Sequence, residues 1–169
     1  MPDLTIALAG NPNAGKTTIF NVLTGLRQHT GNWPGKTVEK KEGVVDYEGR
    51  TINIVDLPGT YSLTAYSPEE IIARDYIIED RPDVVINVVD ATNLERNLYL
   101  TVQLLELDVP VVLALNMADA LQKEGAKINM DHLSQLLGNI PVVQTAANKG
   151  RGISDLIQKA VRMAGKESK

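Results

Sequence analysis

The sequence predicts an α/β domain with a largely parallel sheet and helices on both of its faces. Short runs rich in Val and Ile alternate along the chain with longer stretches whose apolar residues recur at helical spacing. Such alternation is typical of βα units, in which successive strands run parallel. The 169 residues suffice for one domain with its own core, which we place at residues 1–165. Residues 166–169 are interpreted as a solvated tail.

Six strands are predicted, at residues 4–9, 38–49, 50–56, 83–91, 110–116 and 140–145. A turn around Tyr47-Glu48-Gly49 joins the second strand to the third, so we expect one antiparallel edge strand. The charged run at 39–42 begins the second strand. A solvated edge strand protected against pairing explains this run better than a binding patch does.

About five helices are predicted, at residues 16–26, 67–80, 94–107, 129–138 and 152–165. Ser67 followed by Pro68 and two acids indicates the start of the second helix, and Gly138 ends the fourth. The third carries apolar residues at helical spacing. In sheets of this kind, ligands bind beyond the carboxyl ends of the strands.

Composition excludes several classes of function. The net charge of −4 gives no basic footprint, so no nucleic-acid partner is expected. The absence of Cys excludes disulfides, thiolate metal sites and a cysteine nucleophile. No apolar run approaches the ~20 residues of a membrane-spanning helix, and Asp3 stands where a signal peptide would be basic. We therefore expect a soluble intracellular domain. His29 and His132 are expected to be solvated rather than catalytic.

A phosphate-binding loop is predicted between the first strand and the first helix. The segment GNPNAGKTT, residues 10–18, fits the pattern G-x-x-x-x-G-K-[ST]. Its glycines allow the backbone to wrap phosphate, Lys16 can reach the β- and γ-phosphates, and Thr17 can ligate Mg²⁺. The alternative is a Gly-rich turn without a ligand. The expected contacts are Gly10, Asn11, Pro12, Asn13, Ala14, Gly15, Lys16, Thr17 and Thr18.

A second acidic element follows in the segment INIVDLPG, residues 52–59. Asp56 ends the third predicted strand and can hold Mg²⁺ through a water molecule. Gly59 has no side chain to block its N–H, which can meet a γ-phosphate oxygen. D-x-x-G is a weak signal alone, but after a phosphate loop and an apolar strand it becomes a strong one.

The chain also carries a pattern suited to guanine. Asn116-Met117-Ala118-Asp119 follows an apolar strand. A carboxylate at Asp119 can accept hydrogen bonds from guanine N1–H and the 2-amino group, whereas adenine offers no such donor pair. Asn116 would tie neighbouring loops together. The last loop, with Thr145, Ala146 and Ala147, is expected to present N–H groups to guanine O6. Alternatively, its Gly150 and Gly152 are simple turn residues.

Residues 29–39 form a loop that is expected to sense the γ-phosphate. A Thr hydroxyl in this position completes the Mg²⁺ shell in GTPases, and Thr37 is the candidate, with Thr30 as its rival. The glycines supply freedom to move, and Trp33 is expected in the loop rather than the core. It either packs over the nucleotide or a partner, or anchors the loop. The nucleotide contacts expected here are Gly35, Lys36 and Thr37.

Several segments together resemble the N-terminal G domain of the FeoB family of prokaryotic ferrous iron transporters. They are GNPNAGKTT, GNWPGKTVEKKEG, DLPGTYSL, NVVDATNLERNLYLTVQLLEL and ALNMAD, and the likeness runs from about residue 3 to 160. The resemblance implies a P-loop GTPase fold of the Ras-like type. It also implies GTP hydrolysis at the cytoplasmic face of the membrane that drives or regulates Fe²⁺ uptake. The helical regulatory and membrane domains of that family are absent here.

The resemblance implies further roles and partners. Asn13 would ligate an activating K⁺, although it can also simply shape the loop. The residues expected to act in the reaction are Asn13, Lys16, Thr37 and Gly59. Candidate partners are the membrane portion of the parent chain, small accessory Feo proteins, and a second copy bound through the switch regions. No Cys/His cluster suits Fe²⁺, so the iron path is expected elsewhere in the parent chain.

Two departures from other GTPases bear on the rate. Thr60 stands where Ras-like proteins carry a water-orienting Gln, which leaves backbone groups and K⁺ to do that work. Met117 replaces the usual Lys, and together with Ala146 it favours weak nucleotide binding and fast GDP release. The alternatives are a GTP-dependent binding switch with little hydrolysis and, with less support, a ribosome-assembly GTPase.

Overall fold

The computed structural model describes residues 2–167, over which seven strands form one mixed sheet. The strands are β1 (Leu4–Gly10), β2 (Gln28–Asn32), β3 (Glu39–Tyr47), β4 (Arg50–Asp56), β5 (Val84–Asp90), β6 (Val111–Asn116) and β7 (Val142–Gln144). The α-helices within the same residues are α1 (Lys16–Thr24), α2 (Pro68–Asp75), α3 (Leu94–Glu106), α4 (Ala118–Lys123), α5 (Met130–Leu136) and α6 (Ile153–Glu167).

The sheet order is β2-β3-β4-β1-β5-β6-β7. β4, β1, β5, β6 and β7 are parallel, and β3 runs antiparallel to both β4 and β2. The mostly parallel α/β class and the antiparallel edge are therefore confirmed. The expectation that the strand with the charged run 39–42 lies at the edge was wrong, because β2 pairs with β3 on its outer side. The predicted hairpin is also confirmed, because Tyr47 pairs with Arg50 across a two-residue turn at Glu48 and Gly49, both with positive φ.

Two elements were not expected from the sequence. The sheet has seven strands rather than six, because residues 28–32 form β2 beside β3. This strand is almost wholly exposed and polar, so it lacks the alternation by which a strand is recognised. The short helix α4 raises the α-helix count to six over the described residues. Its six residues are too few to show helical spacing.

The predicted helix at 67–80 divides into two pieces. Ser67 Oγ accepts a hydrogen bond from Glu70 N at 3.1 Å and caps α2, as the sequence indicates. The chain then continues as a π-helical turn over Tyr76–Asp80. At the other end of the chain, α6 continues to Glu167, into the predicted tail, and Ser168 and Lys169 lie outside the described residues.

Alternating residues of the central strands bury two separate cores. Ile6 and Leu8 of β1 pack with Phe20 of α1 and Leu156 of α6 on one face. Ala7 and Ala9, which alternate with them along β1, face the opposite core, which α2, α3 and α5 cover. The helices thus enclose both faces of the sheet, and its carboxyl-end edge is left for loops. Over residues 2–167, no helix is long and apolar enough to cross a membrane.

Candidate functional site

Predicted motifs from distant parts of the chain meet at the carboxyl ends of the parallel strands. β1 ends at Gly10, β4 at Asp56 and β6 at Asn116. A cavity of about 540 Å³ opens at this edge, which is within the range of small-molecule sites. Its lining is Asn11, Pro12, Asn13, Gly15, Lys16, Thr17, Thr18, Gly59 and Met117.

The loop after β1 has a conformation that requires its glycines. A Cβ added to Gly10 would lie 2.7 Å from the carbonyl oxygen of Val88. Gly15 has a φ of 97°, and a Cβ there would lie 2.0 Å from Asn116 Nδ2. Gly15 is also the N-cap of α1, so no capping side chain covers the first N–H groups of that helix. Free N–H groups and the helix dipole make this end a natural anion site.

Lys16 and Asp56 form a buried ion pair at the phosphate loop. Lys16 Nζ contacts Asp56 Oδ1, and both residues are buried. Burying two charges is favourable only when each keeps a partner. The pair therefore places an ammonium group and a carboxylate side by side, next to the start of α1. Thr17 is exposed in the first turn of α1.

The side chain of Asn116 joins the phosphate loop to the last loop. Its Nδ2 donates to the carbonyl oxygen of Ala14 at 3.0 Å. Its Oδ1 accepts from Thr145 Oγ1 at 2.9 Å and from Ala147 N at 3.1 Å. All three bonds are buried, so this one amide fixes the relative positions of the two loops.

The last loop is engaged with the protein itself. The N–H groups of Thr145 and Ala146 donate to Leu115 O at 2.9 Å and Arg151 O at 3.1 Å. The N–H of Ala147 is used by Asn116. All three N–H groups therefore donate to acceptors of the protein itself, and their contact with guanine O6 stays a prediction. Gly150 and Gly152 both have positive φ, and they serve as turn residues here.

Asp119 lies in the first turn of α4, beyond Met117. Its Oδ2 is 2.8 Å from Lys149 Nζ. The hydrogen bond from Lys149 holds the pKa of the Asp119 carboxyl below its ordinary value. The lowered pKa extends the ionised state of Asp119 to more acidic pH, and an ionised carboxylate accepts hydrogen bonds from N–H groups. Lys149 lies in the last loop, residues 145–152 (the base-side loop), but no pattern in the sequence indicates its contact with Asp119.

The segment after Asp56, residues 57–60, packs against the phosphate loop. A Cβ on Gly59 would lie 3.3 Å from atoms of Pro12, so the two backbones are close. The N–H of Thr60 donates to the carbonyl oxygen of Gly10 at 3.0 Å. Thr60 is only 5% exposed. Its side chain is consequently turned into the protein, and it does not occupy the role of an exposed Gln.

The switch loop, residues 33–38, connects β2 to β3 and is anchored by Trp33. This side chain is 6% exposed, so it belongs to the core and the expectation that it lies outside the core was wrong. Its ring centroid is 5.6 Å from that of Tyr76 in an edge-on arrangement, and Lys40 Nζ lies 4.7 Å from the ring. Of the two interpretations of Trp33, the structure shows the anchor.

The other residues predicted in this stretch lie away from the phosphate loop. Thr37 and Gly35 are exposed and do not line the 540 Å³ cavity. Lys36 lines a different cavity of about 250 Å³, together with Trp33 and residues of α2. Thr30 is on β2, paired with Lys41. The structure therefore brings the phosphate loop, Asp56, Gly59 and Asn116 together, and leaves Thr37 apart.

Two residues near the phosphate loop were not predicted. Tyr61 and Arg96 line a neighbouring cavity of about 160 Å³ with loop residues from Asn11 to Ala14. The signal for Arg96 lay in the segment NLERNLYL, which general nucleotide motifs do not explain. Within residues 2–167, no three His, Asp or Glu side chains cluster as a metal site.

Comparison with known proteins identifies the family. The sequence model for ferrous iron transport protein B matches residues 4–160. The Fe(2+) transporter FeoB of Salmonella typhimurium is 55% identical over 160 residues, which are 92% of this chain and 21% of that protein. The chain therefore spans about a fifth of the length of such relatives.

Solved structures agree. The chain superimposes with a TM-score of 0.88 and 55% identity on a mutant of S. thermophilus NFeoB bound to GDP, over 93% of this chain and 61% of that one. For the FeoB G-domain from Methanococcus jannaschii, the TM-score is 0.85 and the identity 52%, over 98% and 99% of the two chains. With the phosphate loop, the Lys16–Asp56 pair and the Asn116 bonds in place, this chain belongs to the ferrous iron transport protein B family and corresponds to its N-terminal G domain.

Proposed function

We propose that this chain binds GTP with Mg²⁺ and hydrolyses it to GDP and phosphate. One observation carries the proposal: Lys16, Asp56 and the start of α1 meet at a cavity whose loops Asn116 ties to the base-reading side. Lys16 thus lines the cavity with Asp56 bound to it, and Met117, two residues before Asp119, lines the same cavity. The GDP bound to the S. thermophilus relative supports a guanine nucleotide as the ligand.

Each part of the nucleotide has a matching group. The N-terminus of α1 and Lys16 bind the β- and γ-phosphates, and Asp119 reads the base. Thr17 and, through a water molecule, Asp56 would hold Mg²⁺, which would neutralise charge on the phosphate oxygens. Thr37 is exposed in this structure and would serve as a third ligand if the switch loop moved toward the phosphate loop, against the anchoring of Trp33 in the core.

Hydrolysis requires a water molecule opposite the γ-phosphate. The water oxygen bonds to the γ-phosphorus, the bond to the β–γ bridging oxygen breaks, and GDP leaves with that electron pair. One proton of the water passes to a phosphate oxygen and the other stays on the attacking oxygen, so the phosphate leaves as H₂PO₄⁻. Because the Thr60 side chain is buried and the Thr60 N–H donates to the carbonyl oxygen of Gly10, the N–H of Gly59 is the group left to orient the water.

Asn13 is proposed as the K⁺ ligand. It lines the nucleotide cavity and has a φ of 69°, a backbone conformation that non-Gly residues other than Asn and Asp seldom adopt. Its amide oxygen is a suitable donor for an alkali cation. K⁺ bound there supplies positive charge beside the phosphates, as an arginine finger does in other GTPases.

A second candidate function is a GTP-dependent switch with very slow hydrolysis. The burial of Thr60 favours it, because no side chain replaces the water-orienting Gln. Ras-type GTPases without an activating partner turn over at only about 10⁻⁴ s⁻¹ even with that Gln. The rate of hydrolysis in K⁺ separates the two functions.

In the parent protein, we propose that the nucleotide cycle drives or regulates Fe²⁺ uptake at the cytoplasmic face of the membrane. Family membership and the names of the relatives support this role. The direct partner would be the membrane portion of the same chain. Small accessory Feo proteins, or a second copy docking through its switch regions, would add regulation.

The test is steady-state GTP hydrolysis with Mg²⁺ in KCl and in NaCl at equal ionic strength. We expect faster turnover in KCl, with Asn13→Ala abolishing the difference and Lys16→Ala abolishing turnover. Gln135→Ala, at an exposed position of α5, serves as the control. Equal and very slow rates in both salts, with tight GTP binding, would favour the switch. Failure of GTP to bind would overturn both functions.

A further inference from the structure

Arg96 reaches from α3 to the segment that follows Gly59. Its guanidinium carbon lies 4.3 Å from the ring centroid of Tyr61, within the range of a cation–π contact. Arg96 is near the start of α3, and Tyr61 directly follows Thr60. The contact therefore joins a helix that carries no nucleotide motif to the segment expected to face the γ-phosphate.

The same face of α3 holds this segment at a second point. The N–H of Leu63 donates to Gln103 Oε1. Gln103 is seven residues after Arg96, two helical turns along one face. The hydroxyl of Ser62 donates to Glu70 Oε2 at 3.1 Å, which adds a link to α2. Residues 61–63 thus contact both α2 and α3 through their side chains and backbone.

The Arg96–Tyr61 contact is the outermost of these links. Tyr61 is 46% exposed, whereas Thr60 directly before it and Leu63 two residues after it are buried. Beneath the pair is the cavity of about 160 Å³ that reaches the phosphate loop. The side-chain amide of Asn11 lines this cavity, is 4% exposed and has no hydrogen-bond partner within residues 2–167. Tyr61 and Arg96 therefore border a polar space next to the phosphate loop.

The position of this pair matters for the reaction. The Thr60 side chain is buried and its N–H donates to Gly10 O, so the backbone N–H of Gly59 must orient the water molecule. The direction of that backbone depends on what holds the next residue. We propose that Arg96 is a positioning residue for hydrolysis: by stacking on Tyr61, it fixes the backbone of the Gly59–Thr60 segment against the phosphate loop. This inference rests on the proposed GTPase function.

The expected effect follows from the strength of the contact. An exposed cation–π pair corresponds to a factor of about two to five in an equilibrium or a rate. Arg96→Ala is expected to lower the single-turnover rate by about that factor while GDP affinity stays unchanged. Arg96→Lys keeps the charge but loses the planar stack, so it should recover only part of the rate.

A double-mutant cycle separates positioning from general damage. Tyr61→Ala should lower the rate as much as Arg96→Ala, and the double variant should be no slower than either single variant. Arg162→Ala, an exposed arginine on α6, is the matched control and should leave the rate unchanged. Thermal unfolding of every variant shows whether the fold persists.

Hydrogen exchange of residues 57–66 gives a readout that does not depend on turnover. Arg96→Ala and Tyr61→Ala should speed exchange in this segment and leave α6 unaffected. Unchanged exchange and an unchanged rate in Arg96→Ala would overturn the inference, as would additive losses in the double variant. A loss of GDP affinity equal to the loss of rate would assign Arg96 to nucleotide binding instead. If the unaltered chain fails to hydrolyse GTP, the proposed function fails, and the exchange result decides this inference separately.

Discussion

Replacing Gly15 by Ala tests whether the side-chain amide of Asn116 holds the phosphate loop and the base-side loop together. The φ of 97° strains any residue with a Cβ by about 1–3 kcal/mol. The new methyl would also lie 2.0 Å from Asn116 Nδ2, which must move away. If the amide turns, its three buried hydrogen bonds are disrupted, at about 0.5–1.5 kcal/mol each.

The control is Gly138→Ala. Gly138 has a similar φ of 84°, but a Cβ there meets no atom within 4 Å. This variant therefore carries the backbone strain without the collision. We expect Gly15→Ala to lower the free energy of unfolding by about 1.5–4.5 kcal/mol more than Gly138→Ala does, from the three Asn116 bonds.

Urea unfolding followed by fluorescence or circular dichroism gives both free energies, and a GDP titration gives the affinity. Gly15→Ala should also weaken GDP binding, because Ala14 and Ala147 lose their common partner. Equal destabilisation by the two substitutions would refute the reasoning. It would mean that Asn116 can move away from the added methyl group and keep its three hydrogen bonds, or that other contacts hold the two loops.

Three further predictions concern the base site and the switch loop. Lys149→Met should raise the pH below which GDP no longer binds. Without Lys149 the pKa of Asp119 rises toward its ordinary value, so the carboxylate is protonated at a higher pH as the solution is acidified. GDP binding with the same pH dependence in both proteins would argue against the contact. Asp119→Asn should shift preference from guanine to xanthine nucleotides, since the amide donates to the xanthine 2-oxo group; competition binding measures it, and retained guanine preference would exclude Asp119 as the base reader. Trp33→Ala should lower the free energy of unfolding by about 3–5 kcal/mol, and Trp33→Phe by less, because the side chain is buried against Tyr76; urea unfolding checks both, and a loss below about 1 kcal/mol would contradict the burial.

The parts of the site that could be predicted from the sequence are those formed by short contiguous motifs. The phosphate loop and Asp56 could be recognised because glycine spacing and a strand-end carboxylate carry their own geometric meaning. The hairpin between β3 and β4 was predictable because its turn lies within three residues. Such motifs determine the local backbone conformation without help from residues far away in the sequence.

What the sequence did not predict depends on distant neighbours. Trp33 is flanked by Gly and Pro, which indicate a loop, yet Tyr76 from another element buries it. β2 lacks apolar alternation because it is an outer strand with little to bury. The ion pair of Lys149 with Asp119 joins residues 30 positions apart, and no local pattern encodes it.

The burial of Trp33 gives the protein a built-in optical reporter. It is the only tryptophan in the chain, so the indole emission excited at long ultraviolet wavelengths arises at one place. While Trp33 packs on Tyr76, the indole is shielded from water and emits at shorter wavelengths. Release of the switch loop would bring the ring into water and shift its emission to longer wavelengths. Stopped-flow mixing of the unlabelled protein with nucleotide would then follow the movement of this loop in real time.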